Sequence, residues 1–482
     1  MQVYIKGFDS VYEPENITRM FFAGARITPV PVHKEDMVLV RGNQYRIAVG
    51  ARLAGECTVS TAPAPQKPED REFAVTRLLY QLLGRVTGRR LPWGMLTGVR
   101  PVRIIHDGRK EGRTEQEIKD LFLKKYDCSP EKFSLAHAIA DLQRPVLEAA
   151  GKMDYSLYIG IPFCPSRCSY CSFVSLSTQR ETKLMQPYVD ALCREVKAIK
   201  QQADACRLSI KTIYIGGGTP TALSADQLRQ LMGTVRECYD LSALEEYTVE
   251  AGRPDCTDYE KLKVLKEYGA TRISINPQTF SDEVLAKIGR RHTAQDILTC
   301  FEQARQLGHH NINMDLIAGL PGDTVEGFAK SLKTAISLSP ENITVHTLTL
   351  KRASNLVIQN ARNEYGDVAA MLDQCTALSQ AGYVPYYLYR QKNTLQNLEN
   401  TGWCKPGYEG LYNIYIMEEV HSILSAGAGG STKLCQPGGT RIERIFNYKY
   451  PADYISGFDT ILKRKEGVTE FYAGYLDSET TG

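Results

Sequence analysis

No stretch of the 482-residue sequence approaches the roughly 18 consecutive apolar residues that would cross a membrane. The opening segment, Met1-Gln-Val-Tyr-Ile-Lys-Gly-Phe-Asp9, lacks the charged and apolar regions of a signal peptide. A cytoplasmic location is therefore expected. Charge of one sign is not concentrated anywhere: the net charge is only +3 and the basic residues are scattered. Nucleic acid is therefore not expected as a partner, because its binders usually carry a concentrated basic footprint. Neither internal repeats nor a low-complexity tract interrupts the chain. Ten of the thirteen cysteines are single and irregularly spaced, so they are read as reduced, inert residues and not as a disulfide framework or an auxiliary cluster.

The other three cysteines are grouped. Cys164, Cys168 and Cys171 form a CxxxCxxC motif directly after an apolar, strand-like run, in Tyr158-Ile-Gly-Ile-Pro-Phe-Cys-Pro-Ser-Arg-Cys-Ser-Tyr-Cys171. Three thiolates on one loop can grip three corners of a cubane iron-sulfur cluster, leaving the fourth iron open to a small molecule that receives an electron. A structural zinc site would need a fourth protein ligand, and no partner pair lies nearby. A disulfide is disfavoured in a cytosolic chain, whereas buried unligated cysteines remain an alternative.

Residues 156 to 349 alternate between short β-branched runs and amphipathic stretches. The expected strands are Ser156–Ile161, Thr212–Gly216, Tyr247–Ala251, Arg272–Asn276, Asn311–Ile317 and Asn342–Leu348. Between them, Met185–Ala205, Ala225–Cys238, Asp258–Tyr268, Ala294–Leu307 and Val325–Leu338 have helical periodicity. Six βα units predict an α/β fold with a parallel sheet, and six instead of eight predicts a partial, open barrel with ligands at the carboxyl ends of its strands. Residues 1–150 read as an α+β extension, with strand-like Met1–Lys6 and Met37–Val49 and a helix over Glu72–Val86. Within it, Ala62–Pro68 reads as a linker between two parts. Ser129-Pro130-Glu131 opens a helix toward Ala150, so boundaries are expected near 150 and 350, giving segments 1–150, 151–350 and 351–482.

Several polar residues fall at the predicted strand ends. Gly216-Gly-Gly-Thr-Pro-Thr221 follows the second strand, where glycines let backbone amides approach a ligand's charged end; a simple βα turn is the plainer reading. Glu250 ends the third strand, where a carboxylate can accept hydrogen bonds from a ribose diol or form a salt bridge. Gln278, Arg290 and Asp315 could fix a second zwitterionic or ribose-bearing ligand, or form a structural ion pair. His346, Lys351 and Arg352 are candidate contacts for a polycarboxylate, or ordinary surface residues. His309-His310 reads as a solvated turn, and Ala426-Gly-Ala-Gly-Gly430 as a tight turn, not a nucleotide motif.

The cysteine spacing, the Tyr-x-x-Ile-Pro-Phe-Cys lead-in and the Gly216–Thr221 motif resemble the radical S-adenosylmethionine (SAM) superfamily, in its oxygen-independent coproporphyrinogen III oxidase branch. The resemblance covers residues 155 to 450, and the extension containing Trp93-Gly-Met-Leu-Thr-Gly-Val-Arg-Pro101 is similar to that of HemZ-type members. It implies a partial (β/α)6 radical SAM barrel whose carboxyl-terminal region covers the substrate. It further implies a [4Fe-4S] cluster on Cys164, Cys168 and Cys171, with SAM held by Gly217, Gly218 and Thr219, by Glu250 and near Tyr158. A second SAM would touch Tyr170, Gln278, Arg290, Asp315 and Thr349.

The implied activity is oxidative decarboxylation of coproporphyrinogen III to protoporphyrinogen IX, with a tetrapyrrole substrate and a reducing electron-transfer protein as partners. Two positions depart from the best known oxidases: Phe173 stands where they carry a further cysteine, and Gly160 where they carry a histidine. A phenylalanine there resembles the haem-chaperone branch, so haem delivery, or radical chemistry on another tetrapyrrole such as methyl transfer or ring opening, stays open beside the oxidase reading.

Overall fold

Alternating apolar residues in the first 63 positions build one sheet, β1 (Gln2–Lys6), β2 (Arg26–Ile27), β3 (Met37–Gly42), β4 (Arg46–Leu53) and β5 (Glu56–Pro63), in the order β2-β1-β3-β4-β5. A computed structural model describes residues 1–8, 12–22, 25–28, 36–98, 100–173, 176–351, 354–358, 365–391 and 394–476. These gather into two compact units, Met1–Ala140 with Leu388–Glu399, and Asp141–Tyr387 with Asn400–Gly482.

In the first unit the single strand patch expected over Met37–Val49 is a hairpin. The side chain of Asn43 accepts from the amides of Tyr45 and Arg46, so the chain turns there and splits the patch into β3 and β4. The helix Pro68–Thr87 starts with proline in its first turn and ends at Gly88, whose φ of 65° is the left-handed cap that glycine adopts without strain. It buries Val75, Leu79, Leu82 and Leu83 against Val38, Val40, Ile47 and Val49. Ala62 and Ala64 pack on the same core, so Ala62–Pro68 does not link two separate parts as its composition suggested; it joins a strand and a helix of one core. A second cluster gathers Trp93, Ile105, Phe122, Ile139 and Leu388. The Trp93 indole donates to Glu399 (2.7 Å), which satisfies its buried N–H and ties Leu388–Glu399 to the amino-terminal residues.

The second unit is built on β6 (Asp154–Ile161), the short pair β7 (Phe163–Cys164) and β8 (Leu176–Ser177), then β9 (Ser209–Gly217), β10 (Glu246–Glu250), β11 (Arg272–Ser274), β12 (Ile312–Ala318) and β13 (Asn342–Thr347). After β14 (Val384–Arg390), of which Leu388–Arg390 belong to the first unit, come β15 (Glu399–Cys404), which enters the second unit at Asn400, β16 (Ser422–Ala426), β17 (Ser431–Cys435) and β18 (Ile442–Phe446). The six predicted barrel strands and five helices are all present. The helix expected from Met185 begins at Thr178, with non-helical dihedrals at Glu181. Capping boxes open Ala225–Cys238, at Ser224 and Gln227, and Ala294–Gln306, at Thr293 and Asp296.

Three features differ from the sequence expectation. Strand β11 stops at Ser274 instead of Asn276, because the Asn276 carbonyl accepts from Arg290 (2.7 Å) and the chain then turns through Gln278 at φ 66°. A seventh parallel strand, β16, pairs with β6 outside the six, giving the parallel run β13-β12-β11-β10-β9-β6-β16. The carboxyl-terminal residues extend this sheet, with β15 antiparallel to β13 on one side and β17 and β18 beyond β16 on the other, so the unit does not divide at 350. The sheet stays open, as a partial barrel.

Candidate active site

The cysteine loop leaves the carboxyl end of β6. Cys168 is buried, and Cys164 and Cys171 are half-buried. Burial pushes the Cys171 thiol up; the Phe173 amide works against that, while Cys168 and Cys164 lie near enough to add repulsion. Among the described residues, no three His, Cys, Asp or Glu side chains are grouped around a single metal ion. A cubane has different requirements, since each thiolate takes its own iron and the ligands stand farther apart. Three thiols on one partly shielded loop, with two guanidinium groups beside Cys168, suit such a cluster in donor type and charge.

The glycine loop lies against the cysteine loop. Gly217 has φ 110°, a region essentially reserved for glycine, which turns the chain out of β9. The amides of Gly218 and Thr219 then donate to the carbonyls of Ile161 (2.7 Å) and Phe163 (2.8 Å), and the Thr219 hydroxyl lies 3.5 Å from Cys164 Sγ. A Cβ on Gly218 would stand 3.0 Å from that sulfur, so the bare backbone permits the approach.

Glu250, at the end of β10, accepts from the Tyr214 hydroxyl. Burial, with the nearby Asp315 charge, pushes its carboxyl up to about 7 against the opposing hydrogen bond from Tyr214 and the His346 imidazole. Tyr158 stacks with Tyr214 and Tyr412, the last two with ring centroids 4.5 Å apart. Tyr170, Gln278 and Arg290 also meet. The Tyr170 hydroxyl donates to Gln278 Oε1 (2.9 Å) and accepts from Arg290 Nη2 (3.3 Å), while Arg290 Nη1 donates to the Asn276 carbonyl. The Gln278 amide donates to the Asp315 carbonyl (2.8 Å). Asp315 itself accepts from Asn313 (2.8 Å) and faces His346 at 3.6 Å; burial raises its pKa, but the imidazole and the amide outweigh that and hold it below the usual carboxylate range. The Thr349 hydroxyl donates to the Thr347 carbonyl (3.4 Å).

Lys351 is exposed, and Arg352 lies outside the described residues. His309 is not solvated as its setting suggested. It is 3% exposed and bonded through Nε2 to the Leu262 carbonyl (2.9 Å), because the turn folds back over the helix Tyr259–Glu267. Burial pushes the thiols of Cys128 and Cys300 up to about 12.

A cavity of about 470 Å³ opens beside both loops. It is lined by Tyr158, Gly160, Ile161, Pro162, Ser172, Phe173, Gly217, Gly218, Lys351, Ala428, Gly429, Phe446, Asn447 and Lys449. The turn at Ala426–Gly430 is thus a wall of the site as well as a turn. It is held by the buried Glu195, which accepts from the Gly427 amide (2.8 Å), Asn447 (2.7 Å) and Tyr454 (2.6 Å) and pairs with the buried Lys465 (3.0 Å). Sequence reading missed this wall, because only the pairing of β16 with β6 carries the turn there. It also missed Arg253, which donates to Cys168 and Ser166; its place just past the strand end at Glu250 was the available signal.

Known proteins match this architecture. The sequence profile of the radical SAM superfamily matches residues 158–335. The oxygen-independent coproporphyrinogen-III oxidase-like protein HemZ of Bacillus subtilis is 35% identical over 480 residues, covering 95% of this chain and 96% of HemZ. The haem chaperone HemW of the same organism is 36% identical over 308 residues, 62% of this chain and 76% of HemW. The solved structure of coproporphyrinogen III oxidase (HemN) from Escherichia coli, a radical SAM enzyme, matches in fold with a TM-score of 0.51 at 23% identity, covering 67% of this chain and 72% of that one. The chain therefore belongs to the radical SAM superfamily, whose cofactors are a [4Fe-4S] cluster and SAM, and within it to the HemZ type of the oxygen-independent coproporphyrinogen III oxidase family.

Proposed function

We propose that the protein oxidatively decarboxylates propionate side chains of coproporphyrinogen III to vinyl groups, giving protoporphyrinogen IX. The observation that carries this reading is the cavity beside the cysteine and glycine loops, whose rim combines two exposed aromatic rings with two cations. Phe173 and Phe446 are 58% and 59% exposed and line the same cavity, so together they offer apolar faces to a flat ligand. Lys351 and Lys449 offer ammonium groups to its carboxylates.

In this reading Cys164, Cys168 and Cys171 hold the cluster. Gly217, Gly218 and Thr219 present backbone groups to the amino acid end of SAM, Glu250 accepts from its ribose hydroxyls, and Tyr158 flanks it. Tyr170, Gln278, Arg290, Asp315 and Thr349 serve a second SAM. When bound, cluster and SAM supply one-electron chemistry able to take a hydrogen atom from an unactivated C–H bond. Each propionate then loses a β-hydrogen atom, carbon dioxide and one electron, and the electron must pass to an external acceptor. The chain's own contribution is orientation: the lysines fix carboxylates, and the aromatic rim sets the macrocycle's face and excludes water.

A specific observation favours a second reading. Phe173 stands where known oxidases carry a cysteine, and it lines the cavity together with Gly160, which stands where they carry a histidine. An apolar wall of that kind suits haem delivery as HemW's name describes it. Anaerobic turnover with SAM, a reductant and coproporphyrinogen III separates the two. The oxidase reading expects vinyl products in step with 5'-deoxyadenosine, and a Lys449→Ala variant with KM raised about tenfold, the loss of one charge-assisted contact. Stoichiometric haem binding with no vinyl product would replace it with the chaperone reading.

A further inference from the structure

Arg253 lies three residues past Glu250, on the turn leaving β10, with a side chain only 4% exposed. Its Nε and Nη2 donate to the two carboxylate oxygens of Asp255, at 3.0 and 2.7 Å. That pair alone would offset much of the cost of burying a guanidinium. The remaining donor capacity points at the cysteine loop. Nη1 donates to the Ser166 carbonyl (2.8 Å) and reaches Cys168 Sγ at 3.7 Å, and Nη2 donates to the Ser166 hydroxyl (3.0 Å). Behind Asp255 stands the fully buried His292, 3.6 Å away. Arg290 also neighbours Cys168, so two guanidinium groups lie beside a single sulfur, and one of them is paired with a carboxylate.

We infer that Arg253 is a positioning residue for the cluster: it clamps the cysteine loop through Ser166 and, by its N–H contact with Cys168, raises the potential at which the cluster accepts an electron. The inference rests on the assignment of the cluster to Cys164, Cys168 and Cys171. Reduction adds negative charge, and a cation or N–H donor at a ligating sulfur stabilises the reduced form, since cluster potentials follow net charge and hydrogen bonds to sulfur. Asp255 opposes this effect by partly neutralising the guanidinium. Removing the arginine and removing the acid's charge must therefore shift the potential in opposite directions, which a purely structural role does not produce.

The test is a redox titration followed by electron paramagnetic resonance on the anaerobically reconstituted full chain, with iron content measured on each sample. Arg253→Gln is expected to lower the reduced-to-oxidised ratio at a fixed ambient potential at least tenfold, about 59 mV for a one-electron couple. Asp255→Asn is expected to raise it, and Arg253→Lys, which keeps the charge, to stay near wild type. Should Arg253→Gln take up no iron, the other two variants decide by the same rule. Wild-type potentials in both Arg253→Gln and Asp255→Asn, or shifts of the same sign, would overturn the inference while leaving the cluster assignment intact. Wild-type protein that binds no iron would overturn the assignment and the inference with it.

Discussion

In the proposed function, Glu250 is the acid whose ionisation governs the ribose contact. With its carboxyl pushed up to about 7 by burial and by Asp315, it is mostly ionised at pH 8 and mostly neutral at pH 6. The ionised form offers two acceptor oxygens to a vicinal diol, and protonation turns one of them into a donor. Binding of 5'-deoxyadenosine, which carries the diol and no group titrating in this range, should therefore weaken about tenfold from pH 8 to pH 6. In Glu250→Gln the binding should be weak and flat with pH; isothermal titration calorimetry reads both. The position of Glu250 at a strand end was legible in the sequence. Its poise near neutrality was not, because Tyr214, Asp315 and His346 come from three other strands. Arg253 escaped for the same reason, since only folding brings it to Cys168.

At the scale of elements, the glycine loop and the cysteine loop are one unit joined by backbone hydrogen bonds, so crowding one should disturb the other. In Gly218→Ala the new methyl would meet the Phe163 carbonyl at 2.6 Å and Cys164 Sγ at 3.0 Å. Overpacking of that kind costs roughly 1–3 kcal/mol. The variant is expected to bind SAM at least tenfold more weakly and to carry less iron per chain after reconstitution, measured by equilibrium binding and iron analysis. Unchanged values in both would separate the two loops. Most barrel strands were legible because buried parallel strands read as short β-branched runs between helical periods. Strand β16 was not, since Ser422–Ala426 is short and its partner β6 is more than 260 residues away. With it went the Gly427–Gly430 wall and the Glu195 network that holds it.

For the whole molecule, the boundaries were the least legible feature. The segment Leu388–Glu399 joins the amino-terminal unit because buried polar groups need partners. Arg390 donates to the Leu96 and Gly98 carbonyls, and Glu399 accepts from Trp93 and Lys132. A chain lacking residues 1–140 loses those partners, and trypsin should cut it after Arg390 at least tenfold faster than the full chain, as limited proteolysis with mass spectrometry would read. Equal rates would mean that the segment holds its own structure. The central claim, that Cys164, Cys168 and Cys171 hold a cluster with one iron open to SAM, is tested most directly on the full-length protein, reconstituted and reduced without oxygen. Its electron paramagnetic resonance spectrum should show a reduced [4Fe-4S] signal that changes when SAM is added, and Cys168→Ala should lose both signal and iron. A signal indifferent to SAM, or a Cys168→Ala variant with undiminished iron and SAM cleavage, would contradict it.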